Sequence, residues 1–375
     1  MGFSNHQFPH LRYPDHTGVR AVGFLITCVA IWVVASAAQA DSLRVATFNT
    51  ELSRRGPGLL LRDIVRGEDP QIIATLDVIV AAQADVLVLQ DFDYDLTGAA
   101  LAAYTDALRL KGLDYPYHFS ARPNTGMPTG LDMDGDGKLG EPRDAQSYGR
   151  FSGQGGMAIL SRYPILLDQL EDFTAMLWRD LPGALLPVTK DGPFPSQEAQ
   201  AIQRLSTTNH WAVPVALPEG GPVHIMTFHS SPPVFDGPED RNGKRNHDEI
   251  VFWQQYLSGA FGTPPQERFV LVGDLNQDPR DGEGIKSAIN GLLADPRLQD
   301  PTPQSVGSTT ATGDPFDTVD WTDPVPGNLR VDYILPSVDW RVLDAGVIWP
   351  DLDTPLGQTV TAASRHRLVW VDIAR

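Results

Sequence analysis

The chain has 375 residues, 47 of them acidic and 29 basic, and a formal charge of −18. A field of that sign repels polyanions and draws in divalent cations, which argues against tight non-specific nucleic-acid binding through Lys and Arg. Simple solubility of an exported protein accounts for the charge equally well.

The first forty residues read as a leader and not as part of the fold. Arg12 and Arg20 precede an uncharged stretch from Ala21 to Ala40 with an apolar centre at Phe24 to Val34. It closes on Ala38-Gln39-Ala40, the small-x-small pattern of a cleaved secretory signal. An uncleaved anchor is the competing reading, because about 20 uncharged residues can just span a bilayer. The alanine-rich end is a poor membrane exit and a good peptidase site, so cleavage after Ala40 is expected. The mature protein, residues 41–375, is then periplasmic or secreted, with no stable membrane insertion and no inferred protein partner. Losing Arg12, Arg20 and Asp15 takes the charge from −18 to −19. The sole cysteine, Cys28, leaves with the signal, so neither a disulfide nor a cysteine metal site is available.

Strand-like apolar runs recur along the mature chain at Leu43–Phe48, Val86–Leu89, Met157–Leu160, Val223–Phe228, Phe269–Val272, Val331–Leu335 and Leu368–Ile373. Between the first two, Asp69-Pro70 supplies a capping acid and a proline at the first helical position, opening a helix that runs to Gln83. Gly98–Leu110 and His247–Phe261 carry the other clear helical patterns. Three stretches, 120–155, 178–200 and 301–328, read as long loops, which in compact domains carry substrate contacts or a local ion. Without a visible linker, this composition predicts one mature domain: a sheet sandwich flanked by helices.

Polar residues stand where these strands end. Phe269–Val272 runs into Gly273-Asp274-Leu275-Asn276, where glycine permits a tight turn and the acid and amide, two apart, point to one side. The first run ends on Asn49, the second on Asp91 and the fourth on His229, followed by Ser230-Ser231-Pro232. Asp332 lies in the next to last run, and His366 just precedes the final one. Six such endings suggest a site assembled at one rim of a sheet. Hard oxygen ligands suit Mg²⁺, Mn²⁺ or Ca²⁺. The set suits phosphoester hydrolysis, with a metal polarising the phosphoryl group and a carboxylate or histidine–carboxylate pair activating water. A second histidine can hydrogen-bond the charge developing on phosphorus.

These motifs resemble the endonuclease/exonuclease/phosphatase superfamily, which includes pancreatic-type deoxyribonucleases, apurinic endonucleases, inositol-polyphosphate 5-phosphatases and bacterial sphingomyelinases. The resemblance spans residues 43–374. It rests on Thr47-Phe48-Asn49, Leu89-Gln90-Asp91, Gly156 to Pro164, His229 to Pro232, Gly273 to Asn276, Val331-Asp332-Tyr333 and Ser364-Arg365-His366. It implies a four-layer α/β sandwich with two facing, mostly antiparallel sheets flanked by helices. It also implies that Asn49 lies near the metal and the scissile phosphate, and that Asp91 binds the metal. His229 would bond phosphate oxygens, Asp274 and Asn276 would orient or activate water and bind phosphate, and Asp332 would pair with His366. Either Asp274 or the Asp332–His366 pair is the base.

Two departures from the family pattern matter. Asp91 is one methylene shorter than the usual Glu, and Arg365 stands where the family has an acid before the final histidine. Arg365 is therefore expected to place a fixed cation in the site and to grip phosphate through its planar fork.

A separate motif, Asp132-Met133-Asp134-Gly135-Asp136-Gly137-Lys138-Leu139-Gly140-Glu141, follows calcium-loop logic, with acids at alternate positions and glycine for the sharp turn. Glu141 comes two positions earlier than in an EF-hand, as in the shorter calcium loops of some exported bacterial modules. Asp132, Asp134, Asp136, Lys138 and Glu141 are thus expected to form a structural Ca²⁺ loop. The reading reached from sequence is an exported phosphoesterase using Mg²⁺ or Mn²⁺, with Ca²⁺ a third choice, on phosphate mono- or diesters of small molecules or lipids. The alternatives are a secreted nuclease and a catalytically degenerate calcium-binding protein.

Overall fold

Each strand's alternating side chains feed two different cores, and this sets the layering. The structure, a computed structural model, describes residues 42–322 and 326–375. The expected signal over 1–40, with Cys28, lies outside the described residues.

The chain begins with β1 (Leu43–Leu52), α1 (Leu59–Arg66), α2 (Pro70–Ala82), β2 (Val86–Phe92) and α3 (Ala99–Leu110). Strands β3 (Tyr117–Phe119), β4 (Gly156–Ser161) and β5 (Glu171–Asp172) follow, then a small hairpin of β6 (Val188–Thr189) and β7 (Gly192–Pro193). Next come α4 (Gln197–Ile202), β8 (His210–Ala216), β9 (Pro222–His229), α5 (Arg241–Leu257) and β10 (Phe269–Asp274). The last part holds α6 (Lys286–Leu293), α7 (Val306–Thr312), β11 (Asp332–Pro336), β12 (Arg341–Val347), α8 (Pro355–Ala363) and β13 (Val369–Ala374). One sheet has the order β12-β13-β1-β2-β4-β3 and the other β11-β10-β9-β8-β5.

Val45 and Val88 from the first sheet pack with Val213, Ile225, Val270 and Ile334 from the second, forming the middle of the sandwich. On the opposite face of the first sheet, Ala46, Leu87 and Leu89 meet Ile72, Ile79, Leu101 and Leu108 of α2 and α3. The outer face of the second sheet, through Met226, Phe228 and Leu271, meets Ile250, Phe252 and Trp253 of α5 and Ile289 of α6. The order is helices, sheet, sheet, helices: the expected four-layer sandwich. Each wholly buried aliphatic or aromatic side chain in these cores contributes about 1.5–3 kcal/mol.

Most neighbouring strands are antiparallel, but each sheet has one parallel pair at its centre. In these, Asn49 of β1 lies opposite Gln90 of β2, and His229 of β9 lies opposite Asp274 of β10. Parallel pairing brings C-terminal strand ends to the same edge, so the polar endings collect there. Both β1 and β2 bulge close to their ends, between Asn49 and Leu52 and between Leu89 and Phe92. The extra residues, Glu51 and Asp91, take left-handed backbone angles, with φ of 49° and 51°. Such bulges re-aim side chains beside active sites.

The helix at Asp69-Pro70 forms as its capping signal predicts, with Asp69 Oδ1 accepting from the amides of Gln71 and Ile72 at 2.9 and 3.0 Å. The helix expected at His247–Phe261 instead spans Arg241–Leu257. Its first turn is polar and gives no apolar signal, and Gly259 in a left-handed conformation (φ 80°) follows the true end. The stretches expected as loops hold some structure: the β6–β7 hairpin and the start of α4 in 178–200, and α7 in 301–328. The expected apolar runs do not include β8, which holds Pro214 opposite His224 of β9. Edge strand β12 is largely exposed and lacks an apolar run.

Candidate active site

Asp274 sits at the centre of the cluster and is wholly buried. Its position depends on Gly273, where a Cβ would fall 2.2 Å from the carbonyl oxygen of Phe228 on β9. Glycine therefore lets β9 and β10 approach closely where His229 and Asp274 emerge. Asn49 Nδ2, from the other sheet, donates to Asp274 Oδ2 at 2.9 Å. His229 Nε2 lies 3.3 Å from the same oxygen. The Asn276 amide donates to Asp274 Oδ1 at 2.9 Å, and the Asn276 side chain donates to Ser230 O at 3.0 Å. One carboxylate thus joins the two sheets and the two loops that follow β9 and β10.

Asp332 and His366 form the expected pair. His366 Nδ1 lies 3.1 Å from Asp332 Oδ2, which also accepts from Thr318 Oγ1 at 2.8 Å. The same nitrogen is 3.9 Å from Asp274 Oδ2. Burial works against a charged imidazole here, but Asp332 and Asp274 outweigh it and raise His366 to about 9. At neutral pH the ring carries its proton. Its Nε2 has no hydrogen-bond partner among the described residues, and the edge of Trp321 packs against the ring at 5.5 Å.

Asp91 has a different environment. Its carboxylate accepts no hydrogen bond among the described residues, and burial pushes it up to about 6, with His229 and His366 opposing and Glu51 and Asp93 adding to the rise. Gly155 lies directly against it, since a Cβ there would meet Asp91 Oδ1 at 2.5 Å. Among the described residues Asn49 Oδ1 accepts only the Glu51 amide, at 3.2 Å. A bare carboxylate and a lightly engaged amide oxygen, with no sulfur donor, form a set that fits a hard divalent cation.

Sequence reasoning missed Glu51. It occupies the β1 bulge and takes hydrogen bonds from Arg365 N and Nε, each at 2.8 Å, from the Arg365 terminal nitrogen, and from Ser364 Oγ at 3.2 Å. Burial favours its neutral form, but the Arg365 hydrogen bonds prevail and hold it below the ordinary glutamate range. The planar fork of Arg365, expected to grip phosphate, is thus turned onto a carboxylate. The one available signal was an acid two positions beyond Asn49.

Two residues of α5 were also missed. Buried Asn246 donates through Nδ2 to Ser231 O and Leu275 O, each at 2.8 Å, tying together the loops that carry His229 and Asn276. Glu249 accepts from Ser231 N at 2.7 Å and Thr207 Oγ1 at 3.1 Å, as well as from the Thr207 amide. Burial pushes Glu249 up to about 7 despite Arg245 and those donors. No local pattern marks either residue, because each acts on a strand-end loop distant in sequence. His210 is buried and stacks on Trp253, with ring centroids 5.5 Å apart.

In the acidic loop, carboxylate oxygens of Asp132, Asp134 and Asp136 lie within 4.8 Å of one another. Lys138 Nζ meets Asp136 at 2.6 Å and Glu141 at 3.6 Å. Buried Asp144 ties the loop to its base through the amides of Met133 and Glu141, at 2.9 and 3.0 Å.

Two sheets meeting at a carboxylate–histidine–amide cluster, beside an acid without a hydrogen-bond partner among the described residues, offer the groups that metal-assisted phosphoester hydrolysis uses. The chain belongs to the endonuclease/exonuclease/phosphatase family, whose sequence profile matches residues 46–366. Family members are hydrolases of phosphoester bonds. No curated protein matches the chain significantly. Among solved structures, an endonuclease/exonuclease/phosphatase from Beutenbergia cavernae is similar at 19% identity, over 89% of this chain and 71% of that one, with a TM-score of 0.52. Sphingomyelinase C from Streptomyces griseocarneus is 18% identical over 89% of this chain and 99% of its own, with a TM-score of 0.45. Beta toxin from Staphylococcus aureus, solved with bound magnesium ions, is 13% identical over 89% and 100%, with a TM-score of 0.47. At 19% identity the first of these likenesses is one of fold.

Proposed function

We propose that this protein is an exported phosphoesterase that hydrolyses phosphate mono- or diesters of small molecules or lipids, with Asp274 as the acceptor of the water proton. The observation that carries the reading is the convergence on Asp274 Oδ2, within 2.9 Å of Asn49 Nδ2, 3.3 Å of His229 Nε2 and 3.9 Å of His366 Nδ1. His366, raised to about 9, already holds its proton at neutral pH and so acts as a donor. Asp332 holds the ring by Nδ1, leaving Nε2 to hydrogen-bond the charge that builds on phosphorus. His229 faces the same space from β9 and bonds a second phosphate oxygen, while Asn276 fixes the Asp274 carboxylate through its own amide. Asp91 and Asn49 would hold a divalent ion, Mg²⁺ or Mn²⁺, which when bound polarises the ester and neutralises its charge.

The preference for small or lipid phosphates is supported by the −18 charge, which disfavours a long polyanion. Export is supported by the leader pattern up to Ala40. Structural Ca²⁺ at Asp132, Asp134, Asp136, Lys138 and Glu141 is supported by the clustered acidic oxygens. Its check is calorimetry, in which Asp134→Ala should abolish one Ca²⁺-binding event. The functional test is a panel of p-nitrophenyl phosphate, bis-p-nitrophenyl phosphate, plasmid DNA and phospholipid vesicles, each with Mg²⁺, Mn²⁺, Ca²⁺ or EDTA. Turnover of the small esters or lipid is expected. Hydrolysis of DNA alone would replace this reading with a nuclease, and inertness towards all four, matched by His229→Ala, would leave a calcium-binding fold without catalysis.

A further inference from the structure

Two carboxylates leave the bulged ends of adjacent parallel strands at this site, and they are treated in opposite ways. Asp91 has no hydrogen-bond partner among the described residues. Glu51 has four donors: the Arg365 amide, its Nε, its terminal nitrogen and Ser364 Oγ. A carboxylate offers about four lone-pair positions, so Glu51 has none left for a cation. Between Asn49–Gln90 and Leu52–Phe92, the paired positions that flank them, Glu51 and Asp91 are the bulged residues of neighbouring strand ends.

The restraint on Glu51 is removable. The Arg365 side chain is 65% exposed against 20% for Glu51, so the guanidinium can turn into water, where salt screens its attraction to the carboxylate. Apart from Glu51, its guanidinium has no hydrogen-bond partner among the described residues. If it swings away, Glu51 keeps only the backbone amide of Arg365 and Ser364 Oγ, with lone pairs free beside Asp91.

We infer that Glu51 is a latent ligand of the divalent cation, and that Arg365 is a tethered counter-ion that keeps it from the metal. With Arg365 in place, Asp91 is the only fully available carboxylate on this side of the site among the described residues, and the cation is held loosely. Without Arg365, two carboxylates face it, and affinity for hard cations rises with the charge of the ligand set. This inference rests on the proposed metal-dependent reading.

Calorimetric titration of the apo protein with Mn²⁺ tests it, comparing wild type, Arg365→Ala, Glu51→Gln, the double variant and Asp91→Asn. Ions taken by the Asp132–Glu141 loop are common to all five and cancel in the comparison. Arg365→Ala should tighten the Asp91-dependent event by about tenfold or more. Glu51→Gln alone should change it by less than about threefold, and the double variant should return to the wild-type value. Arg365→Lys, which keeps the charge but not the fork, should fall between wild type and Arg365→Ala. The inference is overturned if Arg365→Ala leaves Mn²⁺ affinity unchanged or weaker, or if Glu51→Gln alone abolishes binding. If Asp91→Asn loses no binding event, the metal-dependent reading of the site fails with it, an outcome distinct from the other two.

Discussion

Replacing Gly273 with alanine tests whether strand spacing builds the site. The added Cβ would sit 2.2 Å from Phe228 O, where ordinary contact begins at 3.4 Å. Because the obstacle is backbone and not a movable side chain, β9 and β10 must part by about 1 Å at the level of His229 and Asp274. Overpacking of this kind costs about 1–3 kcal/mol, and the unfavourable φ adds about 1 kcal/mol more, so a loss of about 3 kcal/mol is expected. A 1 Å displacement between reacting groups lowers turnover by about 10²-fold. Urea unfolding reads the first effect, and kcat/KM on bis-p-nitrophenyl phosphate the second. Gly291→Ala is the control: on α6 its nearest neighbour is the flexible amide of Gln254 at 3.0 Å, so stability should change by no more than about 1 kcal/mol. Gly273→Ala within about 0.5 kcal/mol of wild type, with turnover within about threefold, would show that the spacing of β9 and β10 does not build the site.

Asn246→Ala should destabilise by about 2–4 kcal/mol, since Ser231 O is left without its donor and a small void opens, and turnover should fall while Mn²⁺ affinity holds. That combination separates a clamp on the His229 and Asn276 loops from a metal ligand, and calorimetry beside kinetics checks it. Stability should also depend on pH through His366. Its folded pKa, about 9, lies above its ordinary 6.5, so its contribution is complete below pH 6.5 and is lost as pH rises through 9. The full effect is about 3 kcal/mol, and in EDTA the urea midpoint of wild type should fall across that window while His366→Gln stays flat.

The residues legible in sequence were those whose signal is local. Gly273-Asp274, His229 and Asn49 stand at the ends of apolar runs, and their order matched a known family, which gave the layers as well. Glu51 was hidden because a bulge turns it, and counting along an ideal strand does not reveal a left-handed residue. Asn246 and Glu249 were hidden because a helix-to-loop hydrogen bond leaves no periodic trace. Arg365 was noticed as a departure, but its partner could not be known before Glu51 was located. Strand β8 lay outside the expected runs, and its pairing with β9 runs from His210 to Ala216 through Pro214.

The rate of bis-p-nitrophenyl phosphate hydrolysis with Mn²⁺, measured against EDTA and against Asp274→Asn, most directly tests metal-assisted attack by a water that Asp274 deprotonates. Turnover should be abolished by EDTA, restored by Mn²⁺ and lowered by about 10²-fold or more in Asp274→Asn. Equal rates with and without EDTA, or an Asp274→Asn variant as active as wild type, would contradict that mechanism.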